Sequence, residues 1–567
     1  MIVYGLPLAA AFLVRAALFR VWIGSPLTHY SKIPGLDMQT LLEQGRSFYE
    51  GNGSFSLYQA LIAGTCLLNN GQPWLTGLVL VQMLLGALIG VLVSHCSLRL
   101  TGLRWAAAAA GLLAGLYAPA LMYESVSLKE TVFLFTGALS LSAALECRRQ
   151  HFRSFWPLLA GLAAAGPLLL RMAGGLWTTV LLAWLGYMIF RKAQQTPNTH
   201  HKAIQALGLL FAGAACAILL ASIVNKRNCG SFAPFNNNIS YLLRVGAANA
   251  PDTLDMPESA AGENSGISSL ELLGNYASKI SDSFRAFELS DNLNYYFIRE
   301  LLPPLTFLPG PLLLLPLSVT GLLLMLLTGR LCRREGIIFL YLAAFLVPFC
   351  LFVPLGRYRL TLLPALAITA PFTVVWCWEK LRRKEKLLKV LLAIALYCLV
   401  FCWAAPHSLP IRATDYVALG LALEAKNGHA TPAAISCFAN AWRIAPDSPR
   451  YANHLAVRLI EKACFAEALE VLSPVLEKNP GSYKASLNSA LAMNALGRNQ
   501  EAERLLRSLN PPGNGRSRFI YFFQLGESLR LQGKKTDAAI AFEEALKNCG
   551  DKEQEVLTRK LLNECNQ

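Results

Sequence analysis

The chain has 567 residues, 54% hydrophobic and only 15% charged, with a mean hydropathy of +0.41. Soluble globular proteins carry about 25% charged residues, so this composition excludes an ordinary soluble enzyme and describes mainly a membrane protein. The net charge of +16 would suit nucleic acid, but many of the basic residues sit in short loops between apolar runs, and no nucleic-acid partner is expected.

In chain order, the first apolar run covers residues 2–23 and carries Arg15 inside it. It is too long and too interrupted for a simple signal peptide. Further runs cover 74–98, 104–122, 126–146, 155–171, 174–190, 203–224, 306–328, 336–355, 360–378 and 387–405. That makes about eleven spans, each near the ~20 residues needed to cross a bilayer core. Arg99 with Arg104, Arg148 with Arg149 and Arg153, Arg191 with Lys192 and Lys202, Arg330 with Arg333 and Arg334, and the basic cluster at 380–389 all fall on one side of this arrangement. The positive-inside rule makes that side cytoplasmic. An integral, multi-pass membrane protein with a cytoplasmic N-terminus follows. The loops 24–73 and 225–305, Glu124, Arg171, Arg357 and everything after residue 405 are then extracytoplasmic.

Residues 412–567 change character to Ala- and Leu-rich helical sequence. Ala434, Ala468 and Ala502 recur every 34 residues, and Ala538 follows after an insertion at Pro511-Pro512-Gly513. Phe438, Ala441 and Pro446 with Ala434 in the first repeat are echoed by Leu525, Gly526, Gly533, Ala538, Phe542 and Ala545 in the last. A 34-residue helix–turn–helix period is that of tetratricopeptide repeats. Small residues at these points let paired helices approach closely, and stacked repeats form a curved solenoid, usually a docking surface for protein. The expected fold class is therefore all-α: a membrane helix bundle over 1–405 and an α-solenoid over 412–567.

Ionisable groups within or beside spans are costly unless paired or hydrated, so they are the first functional candidates. Asp37 closes the polar stretch Ser31-Lys32-Ile33-Pro34-Gly35-Leu36-Asp37. It is a candidate base, or simply a solvated acid or helix cap. Arg15 either pairs, snorkels or works at the site. Tyr123-Glu124-Ser125-Val126-Ser127-Leu128-Lys129-Glu130 places two acids at the outer ends of spans three and four, where Lys129 and Glu130 could neutralise each other. Gly356-Arg357-Tyr358-Arg359 sets two arginines in a short outward turn, against the positive-inside trend. Arginine's planar fork suits phosphate, although headgroup snorkelling would use the same residues. The 14 cysteines show no metal-ligand spacing, and no P-loop or dinucleotide glycine pattern occurs, so neither a metal nor a soluble cofactor is expected.

At these residues the chain resembles the polyprenyl-phosphate-dependent glycosyltransferases of the GT-C type, the superfamily of protein mannosyltransferases and aminoarabinose lipid A transferases. The likeness spans roughly 1–380. It is carried by Asp37 with 39–49 and Tyr58, by Gln82-Met83-Leu84-Leu85-Gly86, and by residues 123–130. Arg171, Arg227-Asn228 and Arg357-Tyr358-Arg359 with Pro364 complete it. It departs from the family at Asp37, where no second acid is adjacent, and at Asn236–Asn238 and 246–249, which match the family's polar outer loop only in part. The resemblance implies a membrane glycosyltransferase moving a sugar from a polyprenyl-phosphate donor to an extracytoplasmic acceptor. Asp37 would be the general base, with Glu124 or Glu130 orienting substrate. Arg357, Arg359 and Arg171 would hold the donor phosphate, and Tyr58, Arg227 and Asn228 would belong to the substrate loops. The repeats favour a protein acceptor or partner, with a lipid or glycan acceptor left open. Two other classes share some of these features: a repeat-bearing scaffold with a membrane anchor, and a polytopic transporter of lipid-linked sugar.

Overall fold

The computed structural model describes residues 2–195, 200–234, 269–330, 335–351, 355–382, 387–405, 411–513 and 515–567. The expected outer-loop residues 236–238 and 246–249 lie outside the described residues. Among those described, regular structure is entirely helical, in two units that divide after Pro410.

The first unit, Met1–Pro410, opens with α1 (Ile2–Gly24), α2 (Asp37–Tyr49), α3 (Leu57–Leu67), α4 (Leu75–Thr101) and α5 (Arg104–Gly115). It continues through α6 (Ala118–Glu124), α7 (Glu130–Arg149), α8 (Trp156–Ala165), α9 (Gly174–Gln195) and α10 (His200–Cys229). Helix α4 is central, packing against α1, α5 and α7, while α8 lies against α10. The small side chains Ala106, Ala107, Ala110 and Ala114 of α5 are buried. In hydrocarbon, where apolar side chains gain nothing by leaving lipid, close backbone approach of this kind supplies the packing energy.

Among the described residues, seven helices are long and apolar enough to cross a bilayer: Ile2–Gly24, Leu75–Thr101, Glu130–Arg149, His200–Cys229, Pro303–Leu327, Gly356–Arg382 and Leu387–Ala404. The pair α5 and α6, bent by 46°, makes an eighth if it counts as one span. Pro119 stands in the first turn of α6, where its missing N–H costs nothing and restarts the helix in a new direction. Each of the eleven expected runs contains a helix, but α8 and Gly336–Leu351 are short apolar helices and α9 does not meet the same test of apolarity. Length and composition therefore support seven or eight spans among the described residues, fewer than the eleven expected.

The second unit, Ile411–Gln567, holds four consecutive helix pairs. They are Ala413–Asn427 with Pro432–Ile444, Pro449–Glu461 with Phe465–Lys478, Tyr483–Ala495 with Asn499–Arg507, and Gly515–Leu531 with Lys535–Leu546. A last helix, Lys552–Asn566, packs on the fourth pair. The periodic alanines Ala434, Ala468, Ala502 and Ala538 are all fully buried. Gly526 faces the Phe542 ring, and a Cβ built there would sit 2.8 Å from it, so only glycine allows this pair to close. Arg458 grips Glu424 with both arms, at 2.7 and 2.6 Å, tying one repeat to the previous one.

Candidate active site

The site is assembled from the ends of helices. Asp37 is the first residue of α2, where helix dipole and carboxylate attract. Its Oδ2 accepts a 2.5 Å hydrogen bond from Arg357, across 320 residues of sequence. Burial works to raise the Asp37 carboxyl, but Arg357, with Asn292 and Arg171 adding to it, holds the group below the usual carboxylate range. The Asp37 side chain remains half exposed.

Arg357 has a second carboxylate partner, Asp291, at 3.2 Å, and its guanidinium lies 5.2 Å from the centre of the Tyr358 ring. Asp291 is fixed by the Leu293 backbone N–H at 2.9 Å and the Tyr123 hydroxyl at 3.2 Å. Burial pushes its carboxyl up, with Arg357 opposing. The arrangement is a carboxylate–guanidinium–carboxylate bridge with one acid enclosed and one open to solvent.

Beside it lies a cavity of about 380 Å³. Leu41, Phe133, Leu169, Leu170, Phe345, Pro348 and Phe349 are among its apolar lining. Gln44, Ser54, Ser56, Gln59, Lys129, Arg171, Tyr358 and Thr361 are its polar lining. Arg171 pairs with Glu130, and its guanidinium sits over the Tyr358 ring at 4.7 Å and the Phe133 ring at 5.7 Å. Tyr358 thus carries Arg171 and Arg357 on one aromatic ring, joining cavity to bridge. Glu130 opens α7, another acid at a helix N-terminus; its buried Oε2 has no hydrogen-bond partner among the described residues. The expected neutralisation of Glu130 by Lys129 is not what forms: the partner is Arg171.

The turn that carries Lys129 is pinned from three sides. Gln82 donates to the carbonyls of Glu124 and Val126 at 2.9 and 2.8 Å, and accepts from the Tyr58 hydroxyl at 2.9 Å. Ser127 donates to the Met38 carbonyl, one residue past Asp37. Tyr58 therefore supports the site from behind; it is fully buried and does not line the cavity.

Two expected site residues stand elsewhere. Glu124 is absent from the cavity wall, and both its oxygens are taken by Arg15, from Nε at 2.8 Å and a terminal nitrogen at 2.6 Å. Arg359 binds Glu288 at 2.6 Å and the Arg285 carbonyl at 2.8 Å and is almost wholly buried. Asn228, near the end of α10, donates to the Gly53 carbonyl at 3.2 Å, and Asn225 accepts from the Phe55 N–H at 2.5 Å. They fasten the 53–55 segment that enters the cavity wall. Arg227 beside them is exposed. Asp291, Glu288, Asn225 and the glutamines 44 and 59 escaped the sequence reading. Asn294 capping the helix Tyr295–Leu301 was the legible sign that residues 290–294 form an ordered turn. Among the described residues no group of three or more His, Cys, Asp or Glu is placed to hold a metal.

Residues 459–519 match the tetratricopeptide repeat family. No curated protein matches the chain in sequence. Among solved structures, the chain is similar to the crystal structure of ArnT from Cupriavidus metallidurans bound to undecaprenyl phosphate. That similarity is at 14% identity and a TM-score of 0.38, over 92% of this chain and 85% of that one. It is also similar to yeast Tom70, at 13% identity and a TM-score of 0.24, over 79% of this chain and 88% of that one. At such scores neither likeness specifies a mechanism. The match over 459–519, with the four helix pairs around it, makes the second unit an array of tetratricopeptide repeats.

Proposed function

We propose that the membrane unit is a glycosyltransferase of the GT-C type, which moves a sugar from a polyprenyl-phosphate donor to a hydroxyl-bearing acceptor on the extracytoplasmic face. The observation that carries this reading is the cavity beside the Asp37–Arg357 bridge, lined both by apolar side chains that suit a lipid and by the basic Lys129 and Arg171 that suit its phosphate, with a carboxylate close by. Asp37 takes the proton of the acceptor hydroxyl as its oxygen attacks the anomeric carbon. The bond from that carbon to the phosphate oxygen breaks, its electron pair stays on the phosphate, and the polyprenyl phosphate leaves with an added negative charge. A cation already in place stabilises that charge without reorganising. A single displacement of this kind inverts the anomeric centre. Glu130 acts through Arg171, the cavity-lining guanidinium it pairs with.

A protein acceptor, or a protein that delivers one, is favoured over a lipid or glycan, because a repeat array offers a surface for polypeptide. The basic-loop census supports a cytoplasmic N-terminus and extracytoplasmic repeats. The test is Asp37→Asn in the full chain, assayed for sugar transfer from a polyprenyl-phosphate sugar, with mass spectrometry of extracytoplasmic proteins and glycolipids from cells with and without the chain. Transfer should be lost while expression and donor binding persist. Wild-type transfer by Asp37→Asn would refute the assignment.

A further inference from the structure

The family resemblance implies phosphate binding by Arg357, Arg359 and Arg171, yet each is engaged with a carboxylate: Arg357 with Asp37 and Asp291, Arg359 with Glu288, Arg171 with Glu130. Lys129 differs. Its side chain lines the cavity, is partly buried, and makes no hydrogen bond or ion pair among the described residues. The turn just before it is held by Gln82 and by Ser127, which fixes where the side chain leaves the backbone. Burial, and after it the charge of Arg171, lowers the Lys129 amine to about 7, so its ammonium form is favoured only when an anion completes it. The cavity that would admit that anion is also lined by apolar side chains, which a free inorganic anion would leave unused.

We propose that Lys129 is the side chain that binds the donor phosphate, with Arg171 beside it, and that Arg357 is a positioning residue that holds Asp37. This rests on the glycosyltransferase reading above and changes which residues carry it. The ammonium is a compact point charge with three donors and can follow the phosphate as its charge grows, whereas Arg357 is locked by two acids and a ring. The ligand is a phosphate on an apolar chain, and the anion's own charge lets Lys129 engage it without displacing any existing ion pair.

The test uses the full chain in detergent micelles, with a labelled polyprenyl monophosphate and the matching polyprenol as probes. Wild type should prefer the monophosphate, and inorganic phosphate should compete only at far higher concentration because it cannot use the apolar lining. Lys129→Met should weaken monophosphate binding about ten- to hundredfold, the loss expected for one charged hydrogen-bonding partner, and erase the preference over polyprenol. Lys129→Arg should keep the preference. Arg357→Lys should leave monophosphate affinity within about threefold while lowering kcat and moving the acid limb of its pH profile upward, a signature that loss of packing alone would not give. Should Lys129→Met fail to fold, Lys129→Gln makes the same comparison. Monophosphate binding unchanged in the Lys129 variants, or lost in Arg357→Lys, overturns the assignment but leaves the transferase standing. Equal binding of monophosphate and polyprenol by the wild-type chain would sink the transferase reading as well.

Discussion

Glu124 is the sharpest test of whether burial or chemistry explains an intramembrane acid. Arg15 and Glu124 form a two-armed pair, at 2.8 and 2.6 Å, with side chains only 4% and 3% exposed. Arg15 also donates to the Gly115 carbonyl at 2.8 Å. Gly86 makes the room: a Cβ there would stand 1.9 Å from Glu124 Oε1. Removing one partner of such a pair typically costs about 3–5 kcal/mol, because the other charge is left uncompensated in low dielectric. Glu124→Gln keeps one acceptor and should fall near about 3 kcal/mol, and Glu124→Ala near about 5. Replacing both partners together, Arg15→Met with Glu124→Leu, should be near neutral, because neither charge remains to be solvated. Gly86→Ala should destabilise the wild type for lack of room beside the carboxylate. The assay is thermal unfolding of the detergent-solubilised full chain, read as an apparent Tm under one fixed scan rate, beside sugar transfer. If Glu124→Gln melts like wild type yet abolishes transfer, the carboxylate serves chemistry and the structural account is wrong. If the double variant is no more stable than the single ones, the pair is not what sets their stability.

Three further outcomes follow from the same contacts. Because Arg357 holds the Asp37 carboxyl below the usual range, Asp37 stays ionised on mild acidification. Transfer should therefore persist to lower pH than for an ordinary carboxylate base, and Arg357→Met should move the acid limb up; an unmoved limb would dissociate Asp37 from the pH profile. The stability Asp37 gains from this pair is likewise present above the unfolded-state carboxylate range and lost as pH falls through the lower folded value. In the repeats, Phe438 is fully buried, stacks on His454 with centroids 5.6 Å apart and lies under Arg458. Phe438→Ala should cost about 3–5 kcal/mol, lowering transfer to protein while sparing donor binding, and unaltered protein transfer would show that the repeats serve another partner. Reporters fused after Gln567 and inserted within residues 191–202 should report opposite sides of the membrane, and matching reports would refute the proposed orientation.

The repeat array was legible because its signal is local. A buried alanine every 34 residues records a helix pair that packs on its neighbours, and no distant contact is needed to see it. The apolar runs were legible for the same reason, but the number that cross the bilayer was not. Trp156–Ala165 and Gly336–Leu351 belong to runs long enough on paper, yet among the described residues their helices are short. Sequence measures apolar length, while the helix boundary depends on where the backbone turns.

The candidate site shows a different limit. Asp37, Arg357 and Arg171 were visible one by one as charges out of place, since any such charge in a membrane protein needs a partner or a purpose. Sequence cannot say which, because the partner lies hundreds of residues away. Arg357 and Arg359 make the point within a single turn of helix, Gly356–Arg359. Residues two apart on a helix do not face the same way. One arginine therefore meets Asp37 and Asp291, and the other turns to the buried Glu288. An arginine read as a phosphate ligand from its place in a short turn is then already paired, and the lysine read as a partner for Glu130 is left for the anion proposed above. Pairing, more than residue type, decides which charges in such a bundle remain available to a substrate.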